Sequence, residues 1–375
     1  METLDKGTKA EEYLCMQADR NKIPLSTAFE LLPLCNMNCE MCYIRMSREE
    51  LARQGRIGSA DEWLHIAEEM KEAGTLFVLL TGGEPMMHPQ FWEIYRGLRS
   101  MGMVVTINSN GTLIGRGAAE RFASDLPRRV NITLYGADND TYSRLCRNPH
   151  GFEQAMAGIR LLKERQVPVK LNASIVPENK EDLPKLLQIA DDLDLPIEVN
   201  TYMFPCIRNG RNAYDPAARL SFQEAADCDI QIRRWEQKER FAAYAGEILK
   251  KWERAGESPA HSRQIACRAG KSSCWINWKR EMTPCVFMEQ PAVPISGGKA
   301  LEGWRQIVAA CAGIQLAEAC GTCPKREICQ RCAAAAYWET GEFGGVPEYL
   351  CRYTDEVIRR LNEICRDAEA AATCQ

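Results

Sequence analysis

No stretch of this 375-residue chain approaches the roughly 20 consecutive apolar residues needed to cross a bilayer. The N-terminus Met1-Glu-Thr-Leu-Asp-Lys6 also lacks the charged-then-apolar layout of a signal peptide. Both absences predict a cytoplasmic protein with no membrane partner. A net excess of positive charge is lacking as well. The net charge is −4, and the basic clusters Arg128-Arg129 and Lys279-Arg280 are too short to form the stripe that neutralises phosphates, which excludes a nucleic-acid binder. There is no repeat beyond an alternation of strands and helices, and no low-complexity tract.

Cysteine, by contrast, is abundant, at eighteen residues. In a large chain with no secretory signal, cysteine points to metal or catalysis rather than to disulfides. Three cysteines fall at 35 to 42, three at 267 to 285 and five at 320 to 351, which is the clustering that ligands require. The first group, Cys35-Asn-Met-Asn-Cys39-Glu-Met-Cys42, can ligate iron of an iron–sulfur cluster. A cubane has four irons and these thiolates reach three, so one iron is left open to chelation by a small molecule. In the C-terminal region Cys267, Cys274 and Cys285, with Cys320, Cys323, Cys329, Cys332 and Cys351, supply eight thiols, enough for two four-thiolate sites. Spacing alone leaves zinc open as an alternative, because thiolate quartets suit both metals.

Taken in order, residues 1–24 read as a short helix around Thr8 to Arg20. Ser26 to Leu34 reads as a buried strand that delivers the chain to the cysteine loop. Ser59 can cap a helix with Trp63, Ile66, Ala67 and Met70 on one face and Gly74 as its stop. Apolar runs at Leu76–Leu80, Met103–Ile107, Val130–Leu134, Val167–Val176 and Ile197–Tyr202 alternate with helices around Pro89–Ser100, Phe152–Ile159 and Glu181–Asp191. Six strand–helix pairs are too few for an eight-fold barrel of about 250 residues. The pattern therefore predicts an α/β fold, an open partial (β/α)6 barrel of TIM type, whose working residues sit at the C-terminal ends of strands. One long helical stretch from Ser221 to Ala255, a linker at Glu257–His261 and a final helix from Asp355 to Ala371 complete the reading.

Gly82-Gly83-Glu84-Pro85 directly follows a strand. Its glycines permit close backbone approach to a ligand, and its carboxylate can accept from an ammonium group. Together with the Cys-x3-Cys-x2-Cys loop, this motif resembles the radical S-adenosylmethionine (SAM) enzymes, and the downstream cysteines resemble the SPASM extension of that superfamily. The resemblance implies three [4Fe-4S] clusters and SAM as cofactors. It also implies four segments: a short N-terminal piece (1–24), a radical SAM barrel (25–220), a helical bridge and linker (221–260), and a SPASM domain with a C-terminal helix (261–375). Cys35, Cys39 and Cys42 would hold the SAM cluster, with Gly82, Gly83, Glu84 and Pro85 at the SAM amino group. Thr133 and Arg144 would contact SAM, the arginine at its carboxylate, and Asn108 and Asn110 close a neighbouring strand. Where relatives carry an aromatic residue before the third cysteine, this chain has Met41, with Tyr43 following, so the adenine contact shifts to that pair. By the same resemblance, one auxiliary cluster would take Cys267, Cys274, Cys285 and Cys332, and the other Cys320, Cys323, Cys329 and Cys351. Two departures stand out: two residues rather than three precede Cys332, and Arg280 replaces a glycine five residues before Cys285.

The mechanism implied is reductive cleavage of SAM to methionine and a 5′-deoxyadenosyl radical that removes hydrogen from unactivated carbon. The sulfatase-maturing branch carries an aspartate after the cysteine matching Cys285, and here Val286 stands there. The resemblance then favours maturation of a ribosomally made peptide, by thioether, carbon–carbon or carbon–oxygen cross-linking or by epimerisation. The alternatives are a sulfatase-maturing enzyme, a small-molecule radical SAM enzyme, or a zinc or redox scaffold. The short first segment leaves no room for a leader-recognition domain, so a separate leader-recognition protein is expected. A further expected partner is an electron donor such as flavodoxin or ferredoxin. Tyr135-Gly136 and the segment from Tyr202 to Arg211 would line the barrel mouth, where Cys206 is a candidate hydrogen donor or substrate contact.

Overall fold

The computed structural model describes residues 9–205, 219–256, 262–329 and 331–373. The linker expected at Glu257–His261, the candidate Cys206 and most of the Tyr202–Arg211 mouth segment lie outside the described residues. Helix α1 (Lys9–Asn21) precedes β1 (Ser26–Glu30), and α2 (Arg48–Gln54) and α3 (Ala60–Glu72) lead to β2 (Phe77–Thr81). Then α4 (Phe91–Ser100) leads to β3 (Val104–Ser109), α5 (Arg116–Ser124) to β4 (Arg129–Leu134), α6 (Asn139–Cys146) and α7 (Gly151–Glu164) to β5 (Val169–Ser174), and α8 (Leu183–Asp192) to β6 (Ile197–Asn200). Helices α9 (Phe222–Gln237) and α10 (Phe241–Gly256) follow, then the short strands β7 (Ser273–Ile276), β8 (Glu281–Thr283) and β9 (Val293–Pro294). The chain closes with α11 (Ala300–Ala312), α12 (Glu318–Gly321), α13 (Ala333–Thr340) and α14 (Glu348–Thr373).

Strands β1 to β6 pair in parallel in chain order, each joined to the next by helix, which is the expected α/β partial barrel. One feature exceeds the expectation. β7 also pairs in parallel with β1, Thr27 opposite Cys274 and Phe29 opposite Ile276, so the C-terminal region adds strands to the barrel sheet itself. Local sequence is silent on this pairing because a four-residue strand has too little periodicity to announce its partner.

Alternation along the strands separates two faces. Phe29, Leu80, Ile107, Ile132 and Leu171 are fully buried beneath the helices. The opposite face carries Glu30, Thr106, Asn108, Asn131, Thr133, Lys170, Asn172 and Glu198, so the lumen is polar. Within it Lys170 Nζ pairs with Glu198 Oε2 of the neighbouring strand at 2.6 Å. On the outer face, α3 begins where expected: Ser59 and Glu62 form a reciprocal capping box, and Trp63, Ile66, Ala67 and Met70 are buried.

Two boundaries moved. The expected single helix from Ser221 is two, because Lys238 adopts φ +49° and a tight turn over Lys238–Arg240 redirects the chain. α14 starts at Glu348, seven residues before the expected Asp355, and packs Val357, Ile358 and Leu361 against Ala226, Phe241, Ala245 and Leu249 of the two preceding helices. Arg280, the departure from glycine, sits at φ +63° in the turn between β7 and β8, a conformation that costs a non-glycine residue about 1–2 kcal/mol. Its guanidinium lies 3.7 Å from Glu62 of α3, which offsets part of that strain.

Trp63 is fully buried and its ring centroid lies 5.2 Å from that of Phe29 on β1. Trp63→Ala should lower unfolding free energy by about 3–5 kcal/mol, read from the urea midpoint at unchanged m-value.

Candidate active site

Beyond β1 the chain runs on beside the loop that follows β2. Gly83 N donates to Leu32 O at 2.8 Å and Glu84 N to Leu34 O at 2.9 Å. A Cβ on Gly83 would lie 2.3 Å from Leu34 O, and one on Gly82, at φ +153°, would lie 2.5 Å from Leu32 O. The sequence reading assigned these glycines to close approach of a ligand. The structure uses them for close approach of two backbones, which fixes Glu84 relative to Cys35 one residue beyond Leu34.

Glu84 is fully buried. Its oxygens accept from Ser109 Oγ at 3.0 Å, Asn110 N at 2.8 Å and Met86 N at 3.2 Å. Burial outweighs these three donors and pushes the carboxyl up to about 7. Among the described residues no cationic side chain offsets that burial. A buried carboxylate short of a cation fits an incoming ammonium group, which is what SAM would bring. Pro85 opens the short turn Pro85–Met87 that the Glu84 side chain caps.

The thiols of the cysteine loop are supplied with N–H donors, as an iron-bound thiolate requires. Met37 N lies 3.4 Å from Cys35 Sγ, Asn110 Nδ2 lies 3.6 Å from it, and Arg45 N lies 3.3 Å from Cys42 Sγ. Burial and the nearby Glu84 carboxylate push Cys35 up to about 12, with Cys39 and Cys42 adding smaller like-charge effects, so a positive metal is what would hold all three as thiolates. The donor set therefore fits a three-thiolate iron–sulfur site.

Helix α6 clasps this loop. Asn38 N donates to Cys146 O and Glu40 N to Leu145 O, both at 3.0 Å, and Arg147 pairs with Glu40. The Cys146 thiol lies against Cys39 and raises it. The clasp carries Arg144 to the loop, where its guanidinium is exposed and donates to Thr141 Oγ1 at 3.3 Å. Thr133 is half-buried on the lumen face at the end of β4. Of the two asparagines, Asn110 belongs to the loop: it bonds Asn36 Oδ1 at 2.9 Å and its own Oδ1 accepts from Thr112. Asn108 instead accepts from Asn131 at 2.7 Å inside the lumen. Met41 is packed in an apolar cluster with Met37, Tyr142, Leu145, Cys146 and Met203, which leaves Tyr43 as the more accessible contact. Ser109, Asn36, Thr112 and Cys146 are site residues that sequence reasoning missed. Each acts through a partner more than twenty residues away in sequence, and no spacing signals that.

A row of rings leads from the loop to the C-terminal region. Tyr43 meets Phe287 at 4.9 Å, Phe287 stacks on Phe204 at 3.7 Å, Phe204 meets Tyr202 at 4.9 Å, and Tyr202 meets Tyr349 at 5.6 Å. Arg219 lies 3.6 Å over the Tyr349 ring, beside Glu339, which accepts from the Tyr202 hydroxyl at 2.9 Å. The row ends at a cleft of about 450 Å³ lined by Arg219, Phe222, Glu339, Tyr349 and Arg352.

Among the C-terminal thiols, burial and then the charges of Cys329, Cys320 and Cys323 push Cys351 up to about 11. Burial first, and more weakly the charges of Cys332 and Cys267, push Cys285 up to about 12. Cys332 feels both Cys267 and Cys329, one from each expected set. Cys274, expected from the resemblance in the same group as Cys267 and Cys285, has its thiol 3.6 Å from Thr27 Oγ1. The reason is register: opposite Thr27 on β1, Cys274 points into the helix-covered face.

In the SAM-free protein the raised Glu84 makes stability depend on pH. The carboxyl is protonated in the fold and ionised in the unfolded chain between the ordinary carboxylate range and about 7, so stability falls as pH rises through that window. Glu84→Gln should flatten that fall, worth about 3 kcal/mol between pH 4 and 8, as measured by urea unfolding at both pH values.

Comparison with known proteins agrees with this geometry. Residues 29–190 match the family model described as the Radical SAM superfamily. The AdoMet-dependent heme synthase of Methanosarcina barkeri is 24% identical over 339 residues, covering 85% of this chain and 94% of that protein. The structure of Streptococcus suis SuiB bound to precursor peptide SuiA superposes with a TM-score of 0.66 at 16% identity, covering 92% of this chain and 82% of SuiB. Native anSMEcpe with bound AdoMet and Kp18Cys peptide gives 0.66 at 15% identity over 92% of this chain and 99% of that one. Among the described residues no helix is long and apolar enough to cross a membrane. The loop of three thiols, the buried Glu84 beside it and the barrel strands that hold both all fall within residues 29–190, the part of the chain that matches the Radical SAM superfamily.

Proposed function

We propose that this enzyme abstracts hydrogen from a peptide to form a cross-link or an epimer. Cys35, Cys39 and Cys42 would hold a [4Fe-4S] cluster, which when bound would supply the electron for reductive cleavage of SAM. Glu84 receives the SAM ammonium group, Arg144 pairs with its carboxylate, and Thr133 and Asn110 complete the cradle. Tyr43 and Met41 flank the adenine. The polar lumen and the rings above it keep water from the radical and hold the target C–H bond against it.

The observation that carries the peptide reading is the aromatic row. Five rings in contact, from Tyr43 at the cysteine loop to Tyr349 on α14, make an elongated surface suited to an extended chain with alternating side-chain contacts. The fold shared with SuiB and anSMEcpe, both solved with peptides, supports it. The C-terminal cysteines would hold two auxiliary iron–sulfur clusters, which when bound would relay electrons, making three clusters in all. The remaining parts of the proposal are a flavodoxin or ferredoxin as donor, a separate leader-recognition protein and a cytoplasmic setting.

A second reading has its own support. The Methanosarcina barkeri relative is a heme synthase and matches over most of both chains, and flat rings such as Phe204 and Phe287 also stack on a porphyrin. The two readings separate in one anaerobic experiment with reductant and SAM. Deuterium from a labelled precursor peptide should appear in 5′-deoxyadenosine, and Cys39→Ala should abolish that product while retaining iron at the C-terminal thiols. Label arriving only from a deuterated porphyrin rejects the peptide.

A further inference from the structure

The lumen carries a row of polar side chains that the fold alone does not explain. Asn108 on β3 lies opposite Asn131 on β4, and Asn131 lies opposite Lys170 on β5. Asn131 Nδ2 donates to Asn108 Oδ1 at 2.7 Å, which fixes the Asn131 side chain and turns its own oxygen away from that partner. This oxygen, Asn131 Oδ1, is buried and has no hydrogen-bond partner among the described residues. A buried acceptor without a donor is costly, so the position suits a ligand that brings one.

Lys170 supplies the second observation. Its side chain is 4% exposed and reaches diagonally to Glu198 Oε2 at 2.6 Å. Glu198 is 54% exposed and stands on β6, the last strand at one edge of the sheet. The two halves of the pair are therefore unequal. Glu198 can turn to water at little cost, because ion pairs with an exposed member are weak. The buried ammonium has no such option and needs a carboxylate or its equivalent. A cross-strand pair of purely structural use would account for the contact, but not for the acceptor beside it that lacks a donor.

We infer that Lys170 anchors a carboxylate of the substrate in the lumen, with Asn131 Oδ1 accepting an N–H of the same molecule. This rests on the proposed reading that the lumen holds the substrate beside the SAM cradle. The position agrees: Asn110 is two residues beyond Asn108 and Thr133 two beyond Asn131, so the row lies one layer, about 6–7 Å, beneath the cradle. A carboxylate entering over β6 turns Glu198 out to water, takes the ammonium in its place and directs its attached carbons toward the cradle. Two sources present this chemistry, an acidic side chain of a peptide and the carboxyl arms of a porphyrin, and both also carry N–H groups.

Isothermal titration of the full-length reconstituted protein with SAM present tests this without turnover. Two pairs of probes serve: the peptide acetyl-Tyr-Ala-Glu-Ala-Tyr-amide against its glutamine twin, and a tetracarboxylate porphyrin against its tetramethyl ester. In at least one pair the acid should bind about 10- to 100-fold tighter than its neutral twin, the worth of a hydrogen bond to a charged group. Lys170→Met should abolish that preference and Lys170→Arg should keep it. Glu198→Gln, which removes the competing carboxylate, should tighten the acid several-fold and leave the neutral twin unchanged. Asn131→Leu should weaken both twins alike, by about 2- to 10-fold. Equal binding of acid and neutral twin by the parent protein in both pairs rejects the assignment, as does a preference that survives Lys170→Met or acid binding that fails to tighten in Glu198→Gln. Should Lys170→Met not fold, as judged by circular dichroism, the Glu198→Gln shift decides. Failure of the peptide reading looks different: the preference that depends on Lys170 then falls on the porphyrin pair alone.

Discussion

Two backbone hydrogen bonds, from Gly83 to the Leu32 carbonyl and from Glu84 to the Leu34 carbonyl, join the cysteine loop to the carboxylate that faces it. Both require the strands to approach more closely than any side chain allows, and glycine at 82 and 83 permits it. Because Cys35 follows Leu34 directly, the geometry between thiol and carboxylate is set by main chain rather than by flexible side chains. A site that must hold a chelated cofactor gains its precision this way.

From that seam the rest of the site is arranged by clasps. Ser109 and Asn110 at the end of β3 hold Glu84, and Asn110 also reaches Cys35, so one strand end touches both halves of the cradle. On the other side, the carbonyls of Leu145 and Cys146 hold the loop from the end of α6, the helix that carries Arg144. The burial that makes Glu84 costly when ionised is the same burial that makes an ammonium ligand valuable to it. The polar lumen below holds pairs such as Asn131 to Asn108 and Lys170 to Glu198, while the buried Asn131 Oδ1 has no hydrogen-bond partner among the described residues.

The C-terminal region is fastened to this scaffold by β7, which uses β1 as its template. Since β1 also leads into the cysteine loop, the strand that positions the first thiols also positions Cys285, a short hairpin further on. That shared strand explains how the ring of Phe287 comes to rest on Tyr43, and how the aromatic row starts at the cysteine loop.

What the sequence determined by itself is what local chemistry encodes: the thiol spacing of Cys35, Cys39 and Cys42, the Gly-Gly-Glu-Pro turn at a strand end, the capping box at Ser59, and the alternation that makes a six-strand parallel arc. Each depends on residues a few positions apart. What only the tertiary structure decided depends on which strand lies beside which. Cys274 has the right residue type at a plausible spacing, yet its pairing with Thr27, some 250 residues away, turns its thiol to the helix side. Ser109 acquires a role only because β3 lies beside the loop after β2, and the purpose of Gly82 and Gly83 is visible only once Leu32 and Leu34 are seen against them. The physical reason is the two-residue period of a strand: spacing along the chain fixes which side chains share a face, but register with a distant partner fixes which way that face looks.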